Sequence, residues 1–63
     1  MNRREFIHEL TRAGCHLHRH GSRHDIYLNP RNGRKVPVPR HSDIRNSLCT
    51  LIRRQLGLEE GPH

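Results

Sequence analysis

Gly21-Ser22-Arg23-His24 is the tetrapeptide whose residue types and spacing point most directly to chemistry. A glycine-led turn would deliver His24 to the start of a strand, with Arg19 and Arg23 close in sequence. Histidine is the side chain whose proton moves near neutral pH. Guanidiniums beside it can grip a phosphodiester bidentately and stabilise charge developing on its non-bridging oxygens. That combination suits RNA cleavage without a metal: a base draws the proton from a 2′-hydroxyl while cations surround the phosphate. The plainer reading is an ordinary strand histidine, and His24 by itself does not decide between the two.

Three further histidines, His16, His18 and His20, alternate just before this turn. Alternate strand positions share a face and lie about 6–7 Å apart, a spacing open to a transition metal. No carboxylate or cysteine falls on that face to complete a set, and a wet histidine face equally suits stacking on bases. A two-metal nuclease lacks hard ligands, because Asp25 is the sole carboxylate of residues 15–41. No metal or other cofactor is expected. Asp25 follows His24 directly, so within a strand the two face opposite ways and Asp25 is poorly placed to orient it. Tyr27, on Asp25's face, is open as core, stacking platform or proton donor. Ser22 has His24 nearby but no third group, which argues against a hydrolase triad.

The charge points the same way. The 63-residue chain carries 12 Lys+Arg against 6 Asp+Glu, a net +6, and all but Lys35 of the cations are arginine. Nearly the whole excess, +5, sits in residues 15–41 with five of the seven histidines. Scattered charge usually makes a solvated face, whereas a one-sided excess of guanidiniums favours a polyanion, nucleic acid first. Apolar residues are 30% of the chain, and a domain this small buries only about 60% of its unfolded surface, so the core is marginal. No apolar run approaches the roughly 18 residues of a membrane span, and no signal-peptide leader is expected. Cys15 and Cys49 are too few and too far apart for a disulfide framework or a metal site, and each falls in an apolar stripe that would bury it. A reduced, soluble, cytoplasmic protein is the expectation.

The elements that must position these residues are legible in the periodicities. Asn2 with Glu5 reads as a helix start, Phe6, Ile7, Leu10 and Ala13 form one apolar stripe, and Gly14 is a left-handed stop. From Cys15 the period becomes two, with Cys15 and Leu17 on one face and the three histidines on the other. Gly21-Ser22-Arg23 turns into a strand over residues 24–28, and Asn29-Pro30-Arg31-Asn32-Gly33 supplies hairpin chemistry. A third strand spans residues 34–38; Pro37 and Pro39 place it at an edge. Ile44, Leu48, Leu51, Ile52 and Leu56 mark a second helix, with Asn46 or Ser47 as cap and Ile44 in the approach. Gly57-Leu58 suits a Schellman ending. The expected fold is α+β in the order α-β-β-β-α, a three-stranded antiparallel sheet with two helices on one face. A single domain should cover residues 1–58, with residues 59–63 a frayed tail.

These residues resemble the HicA toxins of HicAB toxin–antitoxin modules, small messenger-RNA interferases. The likeness rests on Gly14, Arg19, Gly21-Ser22-Arg23-His24, Asp25-Ile26-Tyr27, Val36-Pro37-Val38-Pro39-Arg40-His41 and Ile52-Arg53-Arg54-Gln55-Leu56-Gly57-Leu58, in that order and spacing. It implies a fold similar to double-stranded-RNA-binding domains and identifies His24 as the histidine needed for RNA cleavage. It implies a type II toxin that arrests translation and growth by cutting mRNA, and a HicB-type antitoxin that covers the active surface. Cys15 departs from the aromatic residue, usually phenylalanine, that many relatives carry there, which bears on packing more than chemistry. On this reading Arg19, Ser22, Arg23, Arg34, Lys35, Arg40 and His41 contact RNA, His41 being also a second proton-transfer candidate, and the free toxin is a monomer. The alternative is a non-catalytic double-stranded-RNA-binding module. Such a module wants a Lys-rich start to its second helix, where this chain offers only Arg45.

Overall fold

The computed structural model describes residues 1–58 in the order α1 (Arg3–Arg12), β1 (His16–His20), β2 (His24–Asn29), β3 (Arg34–Pro39) and α2 (Asn46–Gln55). This is the α+β order expected from the periodicities. The expected frayed tail, residues 59–63, lies outside the described residues.

Phe6 and Leu10 sit four residues apart on one stripe of α1, and both are fully buried. Asn2 caps the helix, its side chain accepting the Glu5 N–H at 3.2 Å. Gly14, at φ 96°, ends it. The Gly14 N–H reaches the Thr11 carbonyl and the Cys15 N–H the Leu10 carbonyl, both at 3.0 Å, the paired bonds of a Schellman motif. α2 closes in the same way, with Gly57 at φ 74° and the Leu58 N–H on the Arg53 carbonyl at 2.8 Å. Its start departs from expectation. Arg45 is the N-cap residue and no side chain caps the helix, because Asn46 already has helical geometry. Ile44, in the approach, is buried.

β2 is central and pairs antiparallel with both neighbours, leaving the proline-bearing β3 on an edge where one side needs no donors. The β2–β3 register sets Asp25 against Val38 and Tyr27 against Val36 on one face. On the other it sets His24 against Pro39, Ile26 against Pro37 and Leu28 against Lys35. Both helices cover the first face: Phe6, Leu10, Cys49, Ile52 and Leu56 join Tyr27, Val36 and Val38 in one buried cluster. Tyr27 is therefore a core residue. Cys15 and Cys49 are buried free thiols whose pKa values are pushed up by burial. Arg53 links the helices, its guanidinium 5.4 Å from the Phe6 ring centre and bonded to Glu9.

β1 breaks the simple alternation expected of it. Its pairing runs His16–Leu28 and Leu17–Tyr27, then skips to Arg19–Ile26 and His20–Asp25. His18 is the extra residue of a β-bulge, which turns the rest of the strand over. His16 shares the side of Leu28, whereas His20 comes to Asp25's side. The expected common face of His16, His18 and His20 does not form, since a period of two survives only while each residue has one partner. Two residues of the apolar patterns are exposed, Leu17 at 38% and Leu51 at 46%. Every residue of β1 is exposed, so Leu17 lies beyond the cover of the helices. Leu51 stands off the buried stripe of Cys49, Ile52 and Leu56 on α2.

Candidate functional site

The turn that delivers His24 is closed by its own backbone. The Gly21 N–H donates to the His24 carbonyl at 2.7 Å. A Cβ on Gly21 would stand 2.8 Å from that same oxygen, so glycine is the residue the turn accommodates without shifting. Ser22 and Arg23 occupy the bend and are exposed. His24 then opens β2, exposed, on the face away from the helices.

There His24 lines an open groove of about 410 Å³ together with Pro37, Pro39, His41, Asp43, Ile44, Arg45 and Leu48 of α2. His41 comes from the connection after β3 and Arg45 from the residue that precedes α2. Two imidazoles, a guanidinium and the Asp43 carboxylate border one depression, with proline, isoleucine and leucine for walls. The set offers two proton-transfer groups and a cation for a phosphate. A larger depression of about 490 Å³ at the start of α1, lined by Asn2, Arg3, Arg4, Ile7 and Ser42, contains no histidine and no carboxylate. Of these two, only the smaller is bordered by histidines.

The other expected site residues are spread along the same sheet. Arg19 is exposed opposite Ile26, on His24's side. Arg34 and Lys35 are exposed and pair with Asn29 and Leu28. At about 3.3 Å per residue, that puts them about 13–17 Å along the hairpin from the level of His24. They can reach neighbouring nucleotides but not the phosphate held at the groove.

Arg40 is engaged by the protein itself. Its Nε donates to Asp25 Oδ1 at 2.9 Å and its Nη2 to the Gly21 carbonyl at 2.7 Å. Longer contacts of 3.4 Å reach the Ser22 and His24 carbonyls. Asp25 is the hub of a cationic cluster. His20 Nδ1 lies 2.8 Å from its Oδ1, and Arg3 Nη2 donates to its Oδ2 at 2.9 Å while Arg3 Nε donates to the Pro39 carbonyl. The His20 hydrogen bond, followed by Arg40, holds the Asp25 carboxyl below its ordinary value against the opposing effect of burial. No hydrogen bond joins the Asp25 carboxylate to the His24 ring, in keeping with their opposite faces.

Sequence reasoning missed Arg3, Arg45 and the joining of His20 to Asp25. One signal was available: a lone carboxylate among six cations, at an inward-facing strand position, must find ionic partners to be buried. The bulge that brings His20 to it leaves no mark in residue type. Among the described residues, no group of three or more histidine, cysteine or carboxylate side chains is gathered as a metal would require. Nor is any of their helices long and apolar enough to cross a membrane.

The family model for the HicA toxin of bacterial toxin–antitoxin systems matches residues 3–58. No curated protein and no solved structure matches the chain.

Proposed function

The chain belongs to the HicA toxin family, and from that premise we propose that it is a metal-independent endoribonuclease that cuts mRNA and thereby arrests translation and growth. Membership of the family makes it a toxin of a toxin–antitoxin system. The observation supporting nuclease activity is that His24 and His41 border a single groove with Arg45. In the proposed step one imidazole takes the proton of a ribose 2′-hydroxyl as that oxygen bonds to phosphorus. The bond from phosphorus to the 5′-oxygen breaks, and the other imidazole gives that oxygen a proton. The products are a 2′,3′-cyclic phosphate and a 5′-hydroxyl, with no redox change and no water consumed. His24 is the indispensable proton-transfer group and His41 its partner. Arg19, Ser22 and Arg23 guide the strand into the groove from one side. Arg34 and Lys35 hold it further along the sheet, and Arg45 faces the phosphate. General acid–base transfer accounts for about 10²–10⁴ in rate, and positioning of the phosphate supplies much of the rest.

The partner in this reading is a HicB-type antitoxin that covers the groove. The toxin acts as a cytoplasmic monomer whose single domain spans residues 1–58. Against the double-stranded-RNA-binding alternative, α2 opens on Arg45-Asn46-Ser47-Leu48-Cys49 and carries no further cation until Arg53. The test is cleavage of RNA by purified chain in excess EDTA, beside His24→Ala. Cleavage by the parent and its loss in the variant, with RNA still bound, is the expected result. Cleavage that stops in EDTA and returns with a divalent metal would overturn the metal-free scheme. A His24→Ala chain that still arrests growth would overturn the assignment.

A further inference from the structure

We propose that Asp25 and Arg40 are positioning residues for His24, acting by holding the Gly21–His24 turn in the one shape that aims the ring into the groove. The proposal rests on the reading of His24 as a proton-transfer group. Arg40 bonds to the carbonyls of the turn, reaching Gly21, Ser22 and His24 from a single guanidinium. Its fork spans both ends of the bend, since Gly21 and His24 are the two residues joined by the turn's own hydrogen bond. Arg40 is fixed in turn through Nε by Asp25, whose side chain is only 12% exposed. Asp25 is fixed by Arg3, and Arg3 also holds the Pro39 carbonyl directly across the ladder from His24. The carboxylate therefore ties the start of α1, the end of β1, the start of β2 and the end of β3 to one point.

This connection runs through the sheet. Asp25 and its partners lie on the helix-covered side, whereas His24 belongs to the other face and its groove runs past β3 to the start of α2, so the network touches the backbone of His24 and not its ring. Arg40 thus differs in role from Arg19 and Arg23, whose side chains are exposed at the rim. The guanidinium's planar fork matters here, because an ammonium is a point charge that cannot bond to a carboxylate and two separated carbonyls in fixed directions. Misplacement of a reacting group by about 1 Å can cost about a hundredfold in rate.

The discriminating experiment compares Arg40→Lys, Arg40→Gln and His24→Ala for single-turnover cleavage and for RNA affinity, with the His24 ring signals followed by NMR. Arg40 is partly exposed, so both of its variants should fold; Asp25→Asn, which keeps one acceptor oxygen, serves as a second probe of the same network. The expected result is a cleavage rate lowered about 10- to 100-fold in both Arg40 variants. RNA affinity should stay within about threefold, since no phosphate partner is removed, and the His24 ring signals should shift. Arg40→Lys cutting at the parental rate, with Arg40→Gln weakened only in affinity, would overturn the proposal and make Arg40 a phosphate ligand. Cleavage by His24→Ala at the parental rate would instead defeat the functional reading. The NMR comparison would still report whether Arg40 positions that ring.

Discussion

His24 and Asp25 are consecutive in the chain and face opposite sides of the sheet, one at the open groove and the other within a cluster of Arg3, Arg40 and His20. A single peptide unit thus joins an exposed imidazole to one of the most heavily bonded side chains of the fold. The division follows from the alternation of a strand. It lets the reactive face stay wet and exposed while the opposite face supplies rigidity. A small domain with a marginal core gains from this, because the ionic cluster joins four elements without drawing on apolar area.

Acid should attack that cluster first. The Asp25 carboxyl is held below its ordinary value of 3.8, chiefly by its hydrogen bond with His20 and then by Arg40. Glu9 is lowered likewise by Arg53. For a carboxylate depressed on folding, the stabilisation is present above the unfolded value and disappears as pH falls through the folded one. Unfolding midpoints in urea should therefore hold steady from neutral pH down to the ordinary carboxylate range and drop below it. Asp25→Asn should remove part of that drop and lower stability at neutral pH, by up to about 3 kcal/mol, since two cations lose their counter-charge. A variant with an unchanged acid limb would show that the cluster contributes nothing.

His41 should be separable from His24 by its pH signature. A general base must be deprotonated to act, giving a rate that rises with pH. A general acid must be protonated, giving a rate that falls. With both in one groove the cleavage profile should be bell-shaped. His41→Ala should lower the rate about tenfold or more and remove one limb of the bell, leaving the other in place. If both limbs persist, the second group is not His41.

The helices and strands were legible because their signals are local. Phe6 and Leu10 sit one turn apart, Asn2 and Gly14 bracket α1, and Gly57 with Leu58 ends α2 by the bonds its type favours. The candidate histidine was legible for the same reason, from a glycine turn followed by a strand. What escaped was set by the third dimension. His18 inserts into β1 without any residue type that marks a bulge, so His20 changes face. Leu51 fits the period of α2 but stands off its covered stripe. Arg45 is a poor cap by type, yet it ends up bordering the groove because the chain from β3 must pass there. Arg40 read as one more RNA-facing cation, and only the structure shows its guanidinium turned toward Asp25 and three backbone carbonyls.

Arg34 and Lys35 give a prediction of the opposite kind. They stand well along the hairpin from His24, both exposed, with Lys35 on His24's side of the sheet opposite Leu28 and Arg34 on the other side opposite Asn29. If RNA passes over the end of this hairpin, Arg34→Gln with Lys35→Gln should weaken binding and flatten its salt dependence, by about 0.7 in slope for each phosphate of a single strand that is no longer neutralised. The check is RNA affinity measured across a series of salt concentrations. An unaltered slope would mean that the strand leaves the sheet before reaching them.

Gly57 offers a stability test that is independent of RNA. It ends α2 at φ 74°, and a Cβ there would stand 2.5 Å from the Asn32 side-chain nitrogen. That nitrogen donates to the Leu56 carbonyl at 3.0 Å, and the Asn29 amide donates to the same carbonyl at 2.8 Å. Two side chains of the β2–β3 hairpin thus close the end of α2, and Gly57 gives them room. Gly57→Ala meets both a left-handed backbone, at about 1–2 kcal/mol, and a displaced Asn32. Asn29→Ala should be at least as harmful, since Asn29 is buried and its loss leaves the Leu56 carbonyl one donor short. The expected outcome is a lowered urea midpoint in both variants with an unchanged denaturant slope, which marks lost stability without a change in the surface exposed. A Gly57→Ala chain as stable as the parent would show that the helix ends without need of the left-handed residue.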